Sequence, residues 1–193
     1  MALIKNWDNN TWLSSKDYIR SFSKFLIQNT KLNFKSEILD IGCGRGKISG
    51  NLYSELKLTS KPIGIDIANH KDKDKRVKFK KSNGLTFLNK NKNFFDLILI
   101  KQTIHLLKMN EITKLINLCK KSLKSKGVIV VLTLDPNKNE IPTFKLMNTK
   151  LENSLNRDKK IITLLKKNNK VLKVKNFSYK VKILKSKYLQ MIN

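Results

Sequence analysis

Short runs of apolar residues, each stopping abruptly at a glycine or polar turn, most constrain how this chain can fold. Glu37–Ile41 (EILDI), Pro62–Ala68 (PIGIDIA), Phe94–Lys101 (FFDLILIK) and Val128–Leu134 are too short for buried helices and read as strands. Val77–Lys81 reads as a weaker strand, and 69–76 as a charged loop. The intervening segments have helical period instead. Residues 14–28 place Tyr18, Ile19, Phe22, Phe25 and Leu26 on one face, with Ser14 and Asp17 resembling a capped start. Lys47–Leu58 turns Ile48, Leu52, Tyr53 and Leu56 inward, Leu85–Lys90 reads as a short helix, and 110–124 runs through Ile112, Leu115, Ile116, Cys119 and Leu123.

Strands that are apolar on both faces must be covered on both sides, and their alternation with helices implies parallel βαβ units. Right-handed crossovers then give an α/β fold: a doubly wound, mostly parallel Rossmann-like sheet with helices on both faces. Ligands in such sheets bind beyond the carboxyl ends of the strands, where strand order reverses. The residues to inspect are therefore those just after Ile41, Ile67, Lys81, Ile100 and Leu134.

One of these tips is rich in glycine: Asp40-Ile41-Gly42-Cys43-Gly44-Arg45-Gly46. Glycine lets the backbone turn tightly and approach a ligand with no Cβ in the way. The dinucleotide fingerprint GxGxxG would need glycine at 47, where this chain has Lys47. Asp40 would also repel a pyrophosphate, whereas it suits a cation. The segment EILDIGCGRG closely resembles the glycine-rich first motif of class I S-adenosylmethionine-dependent methyltransferases. Twenty residues after Gly46, Asp66 stands at the tip of the second strand, where an acid can accept from ribose hydroxyls or simply cap a loop.

The resemblance extends over roughly residues 35–136 and implies S-adenosylmethionine as cofactor, with S-adenosylhomocysteine as product. It implies a cofactor contact for Asp40, Gly42, Cys43, Gly44, Gly46 and Asp66, with Ile67 against the adenine face. Ser82-Asn83-Gly84 stands where such enzymes often carry an adenine-binding Asp; Asn83 could accept there, with Gly84 beside it, or the pair could form a plain turn. The segment FDLILIKQTIHLL is similar to the type-11 methyltransferases, which mostly act on small molecules. It implies a place for Lys101 beside the cofactor sulfonium and for Gln102 on the acceptor side. Asp96, at the wrong end of that strand for chemistry, reads as structural. The Asn/Asp-Pro-Pro-aromatic motif of nucleic-acid amino-methyltransferases does not occur here.

Methyl transfer asks for alignment, and for a base only if the acceptor is protonated. His105, just past the fourth strand, is the candidate catalytic base or acceptor contact; a helix-start histidine bonded to backbone is the bland alternative. Trp7 and Trp12 could line a lid or pack the first helix on the core. The chain reads as a single domain over 1–193, comprising an N-terminal helical lid (1–34), a cofactor-binding core (35–136) and a C-terminal substrate-side region (137–193). Class I enzymes usually finish with two more strands, the last antiparallel. Here a helical region near 142–168 precedes one extended Lys-rich run, Val171–Leu184, so that last strand is expected to be missing or displaced.

Composition bears on partners. There are 41 basic residues against 14 acidic, a net charge of +27, which would attract polyanions. Only four of the basic residues are Arg (Arg20, Arg45, Arg76, Arg157), and nucleic-acid readers favour Arg for its bidentate fork. Lys, Asn and Ile share A/T-rich codons, so a solvated lysine coat accounts for the bias. The expected partner is a small-molecule N, O or S nucleophile; the alternatives are an RNA or protein acceptor using the basic surface, or a cofactor-binding paralogue without catalysis. Oligomeric state leaves no trace in the sequence. Cys43 and Cys119 have neither metal-site nor CxxC spacing, no metal site is expected, and the cytoplasm is the default compartment. The N-terminal apolar run is too short for a signal peptide, and no apolar stretch reaches membrane-spanning length.

Overall fold

The structure, a computed structural model, describes residues 15–133, 135, 145–168 and 172–180. Its elements follow the order α1 (Lys16–Asn29), β1 (Ile38–Ile41), α2 (Lys47–Glu55), β2 (Ile63–Asp66), β3 (Lys78–Lys81), α3 (Gly84–Leu88), β4 (Phe95–Lys101), a 3₁₀ turn (Ile104–Leu106), α4 (Met109–Ser122), β5 (Leu123–Leu132) and α5 (Lys145–Asn168). All sheet pairings are parallel, in the order β3-β2-β1-β4-β5. The chain therefore runs outward from β1 to β3, then returns past β1 to lay down β4 and β5. The reversal falls between β1 and β4, which creates a crevice at their carboxyl ends.

The strand period of two sorts side chains onto two cores. Leu39, Ile41, Ile98 and Ile100 join Leu88, Ile112, Leu115 and Cys119 under α3 and α4, together with Ile161 and Leu165 from α5. Ile38, Leu97 and Leu99 face the other way, onto Tyr18, Phe22 and Leu26 of α1 and Ile48 and Leu52 of α2. The central strands are thus buried on both faces, as continuous apolar runs require. α1 forms a wall of this second core. Its start lies one residue later than the periodicity suggested: Ser15, not Ser14, caps the helix, its Oγ accepting from Tyr18 N–H at 3.2 Å. Trp7 and Trp12 lie outside the described residues.

Two expectations need correction. α4 ends at Ser122, and Leu123 belongs to β5. It pairs with Phe95 before an irregularity, after which Val128 pairs with Leu97. β5 is also only half-buried rather than sealed on both faces, because among the described residues it is an edge of the sheet. At the opposite edge, β3 exposes Lys78, Lys80 and Lys81. Charged edges of this kind resist strand-to-strand association. Of the extended run expected over Val171–Leu184, residues 172–180 are described and carry no assigned strand or helix. Phe177 and Tyr179 lie against α1, with ring centroids 5.2 Å from Phe22 and 5.4 Å from Tyr18 respectively. Asp96 has the structural role its position implies: Oδ2 accepts from Glu37 N–H at 2.8 Å and from Lys124 Nζ at 2.6 Å, tying the starts of three strands. No helix among the described residues is long and apolar enough to cross a membrane.

Candidate functional site

The loop after β1 is held in a shape that only glycine adopts easily. Gly42, Gly44 and Gly46 all have positive φ, at 69°, 56° and 71°. Gly42 and Cys43 N–H both donate to Ile65 carbonyl, at 2.9 and 3.1 Å. Gly44 N–H donates to Asp66 Oδ2 at 2.9 Å, and Gly46 N–H to Cys43 carbonyl at 2.9 Å. These four amides are therefore spent inside the protein. A phosphate-cradling loop presents such amides outward; this one suits a ligand without phosphate.

The glycines differ in what surrounds them. A Cβ on Gly42 would lie 2.2 Å from Thr103 Oγ1, so the loop passes tightly under the β4 tip. A Cβ on Gly46 would crowd Phe79 and Val77. Gly44 alone of the three opens outward, with nothing within 4 Å of where its Cβ would stand. The Cys43 thiol turns away toward Gly64, and burial pushes its pKa up, so its share in any ligand contact is backbone.

Asp40 sits beneath the loop, 3% exposed, accepting from Ser49 Oγ at 2.5 Å. Asp40 lies on the α1–α2 face of β1, shut off from solvent beneath the loop. Burial raises its pKa to about 6; the Ser49 bond and the Lys101 charge pull the other way, and Asp66 pushes further up. Lys101, at the β4 tip on the same face, holds its Nζ 5.7 Å from the Tyr18 ring centroid.

Asp66 stands at the β2 tip as expected. Besides Gly44, it accepts from Ala68 N–H at 2.9 Å through Oδ1. Beside it Ile67 is 56% exposed, an uncovered apolar side chain just past the β2 tip. The β3 tip is different. Asn83 Oδ1 accepts from Thr86 N–H at 2.8 Å as the N-cap of α3. Gly84 is pressed between Leu115 and Ile41, so a side chain there would disturb helix–sheet packing. Asn83→Ala should therefore lower stability by about 1 kcal/mol in urea denaturation, the cost of a lost cap.

Beyond β4, Gln102 adopts a left-handed φ of 54°, and its N–H donates to Leu132 carbonyl at 3.1 Å. Non-glycine residues held there store of order 1 kcal/mol of strain, typical of functional turns. His105 lies in the 3₁₀ turn, half-buried; burial lowers its pKa, with Asp158 and Arg157 of α5 acting in opposite senses. Arg157 Nη2 donates to Leu107 carbonyl, fastening α5 over this turn. Sequence reasoning missed Thr103, which fills the space over Gly42 and donates to Lys101 carbonyl at 3.0 Å. It also missed Ser49 and Asp158, and set His70 aside as part of the charged loop 69–76. Only His70 left a local trace, four residues after Asp66. No group of His, Cys, Asp and Glu among the described residues could hold a metal ion.

A family model described as a methyltransferase domain matches residues 32–192, well over half of the chain. No curated protein sequence matches it. Among solved structures, it is similar to an S-adenosylmethionine-dependent methyltransferase from Archaeoglobus fulgidus, with 22% identity, TM-score 0.54, and coverage of 73% of this chain and 68% of that one. It is also similar to the 1,6-didemethyltoxoflavin N1-methyltransferase of Burkholderia thailandensis, solved with its substrate and S-adenosylhomocysteine, with 16% identity, TM-score 0.51, and coverage of 64% and 55%. The chain thus spans about half to two thirds of these structures' lengths.

Proposed function

The chain belongs to the methyltransferase-domain family, and from that premise we propose that it transfers a methyl group from S-adenosylmethionine to a small-molecule nucleophile. The observation that carries the proposal is the glycine loop itself. Three left-handed glycines spend their amides within the protein, open only at Gly44, and are bonded through that residue to an acid at the next strand tip. Such a cradle fits a nucleoside that has positive charge and no phosphate. S-adenosylmethionine supplies a methyl carbon already activated by its sulfonium.

The chain's own residues would then divide the work. Asp66 accepts from the ribose, Ile67 covers one adenine face, and Gly44 lets the backbone approach while Gly42, Cys43 and Gly46 hold the loop in shape. The negative field of buried Asp40 favours the cationic ligand above it, while Lys101 would meet the cofactor carboxylate. The oxygen of Asn83 is already a helix cap, so adenine recognition rests on shape and Ile67 more than on that side chain. Gln102 lies on the acceptor side.

His105, held neutral by burial, can accept a proton. With an acceptor that must lose a proton, such as a phenol or thiol, His105→Ala should lower kcat roughly 10²-fold. A free amine acceptor should be unaffected. Equal rates for the wild type and His105→Ala on a hydroxyl acceptor would remove His105 from the chemistry. The reading as a whole is tested by calorimetry: S-adenosylhomocysteine should bind and a phosphate-bearing dinucleotide should not. A screen with methyl-labelled cofactor against metabolites and RNA then identifies the acceptor class.

A further inference from the structure

His70 carries no motif, yet the loop after β2 brings its imidazole to the acid at that strand's tip. Nε2 stands 3.5 Å from Asp66 Oδ2, and both side chains are mostly buried, at 18% and 15% exposure. The loop that delivers it is fastened at several points. Asp74 N–H donates to Arg45 carbonyl at 3.0 Å, the Asp74 carboxylate is gripped by Arg76 at 2.8 and 2.9 Å, and Lys73 Nζ donates to Asn69 Oδ1 at 2.5 Å.

A carboxylate offers about four acceptor positions, two on each oxygen. Gly44 N–H takes one on Oδ2 and Ala68 N–H takes one on Oδ1, which leaves one on each. The imidazole does not consume the second position on Oδ2, because 3.5 Å lies beyond the ordinary N–H···O range of about 2.7–3.2 Å. It waits beside that position. A hydroxyl needs both an acceptor for its proton and a donor for its oxygen, and a carboxylate supplies only the first. An acceptor and a ring nitrogen 3.5 Å apart are spaced so that a single hydroxyl oxygen reaches both at normal hydrogen-bond lengths.

We propose that His70 is a ribose-recognising residue, pairing with Asp66 as donor and acceptor for one hydroxyl of the cofactor and so selecting the ribonucleoside over the analogue that lacks it. This rests on the cofactor reading above. It assigns to the β2 loop a specificity that Asp66 alone would not provide, since an unpaired buried donor penalises the deoxy ligand as well as rewarding the natural one.

The test uses the full chain and three ligands titrated by calorimetry: S-adenosylhomocysteine and its 2′-deoxy and 3′-deoxy analogues. The wild type is expected to bind one of the deoxy analogues about 30-fold more weakly than the parent. In His70→Ala the parent should weaken about tenfold, and the penalty for losing that same hydroxyl should shrink to about threefold. His70→Gln keeps a side-chain N–H and should recover most of the discrimination; it also covers the case in which the alanine variant fails to fold. If both variants discriminate as the wild type does, with all three ligands weakened equally, His70 merely pins the loop and the proposal is wrong. Absence of any binding by the wild type would overturn the cofactor reading itself.

Discussion

Alanine at position 42 is expected to cost the fold about 3–5 kcal/mol, whereas alanine at position 44 should cost only about 1–2 kcal/mol yet weaken cofactor binding about 100-fold. The two glycines have nearly the same backbone conformation, φ of 69° and 56°, so the left-handed penalty is shared. Space separates them. A Cβ on Gly42 would meet Thr103 Oγ1 at 2.2 Å, Cγ2 at 2.4 Å and Cβ at 2.8 Å. Thr103 is not free to yield, because it follows the strained Gln102 and its hydroxyl donates to Lys101 carbonyl. The insertion would therefore push β1 and β4 apart at the point where the sheet order reverses. At Gly44 the same methyl meets nothing within 4 Å and projects into open space. Urea denaturation and calorimetry with S-adenosylhomocysteine, run on both variants, should give opposite profiles. Wild-type affinity in Gly44→Ala would mean that the open side of the loop is not the binding surface.

The contrast also marks what a sequence can reveal. The glycine spacing, Asp66 and the run of central strands are local signals, and each lies where periodicity put it. The strand order follows from handedness and from the need to bury both faces of β1 and β4. What could not be read is how side chains from distant segments share one place. Ser49 reaches Asp40 only because α2 folds back on β1, and Thr103 meets Gly42 across a separation of 61 residues. Asp158 approaches His105 from a helix whose position no local pattern specifies. Asn83 and Gly84 were ambiguous for a different reason: one short sequence serves equally as a helix cap and as a ligand turn, and the structure shows the cap in use. The exposure of β5 was hidden because an apolar run looks the same whether one or two neighbours cover it.

Asp40→Asn should make the ligand-free protein more stable at pH 8, by about 2–3 kcal/mol, and should remove a pH dependence that the wild type shows in mild acid. The carboxyl is 3% exposed and burial raises its pKa from 3.8 to about 6. The sign follows from where the proton binds. Above pH 6 the folded chain carries a buried charge that the unfolded chain solvates freely, so folding bears the full penalty. As pH falls through 6 toward 3.8 the folded form takes up the proton first and stability rises; below 3.8 both forms are protonated and the penalty is gone. Asparagine keeps an acceptor for Ser49 Oγ while carrying no charge at any pH. Urea unfolding of both proteins at pH 8 and pH 4.5 should show a wide gap at the first and about a third of that gap at the second. An equal gap at both would mean that the carboxylate is not desolvated as its burial implies. Keeping an acid here makes physical sense only if a cation compensates it, and Lys101 does so in part. The rest of the compensation is assigned to the ligand: the stabilised variant should lose about tenfold in affinity for S-adenosylmethionine and less for the uncharged-sulfur product, because a buried charge that weakens the empty fold is what a sulfonium-bearing ligand would select.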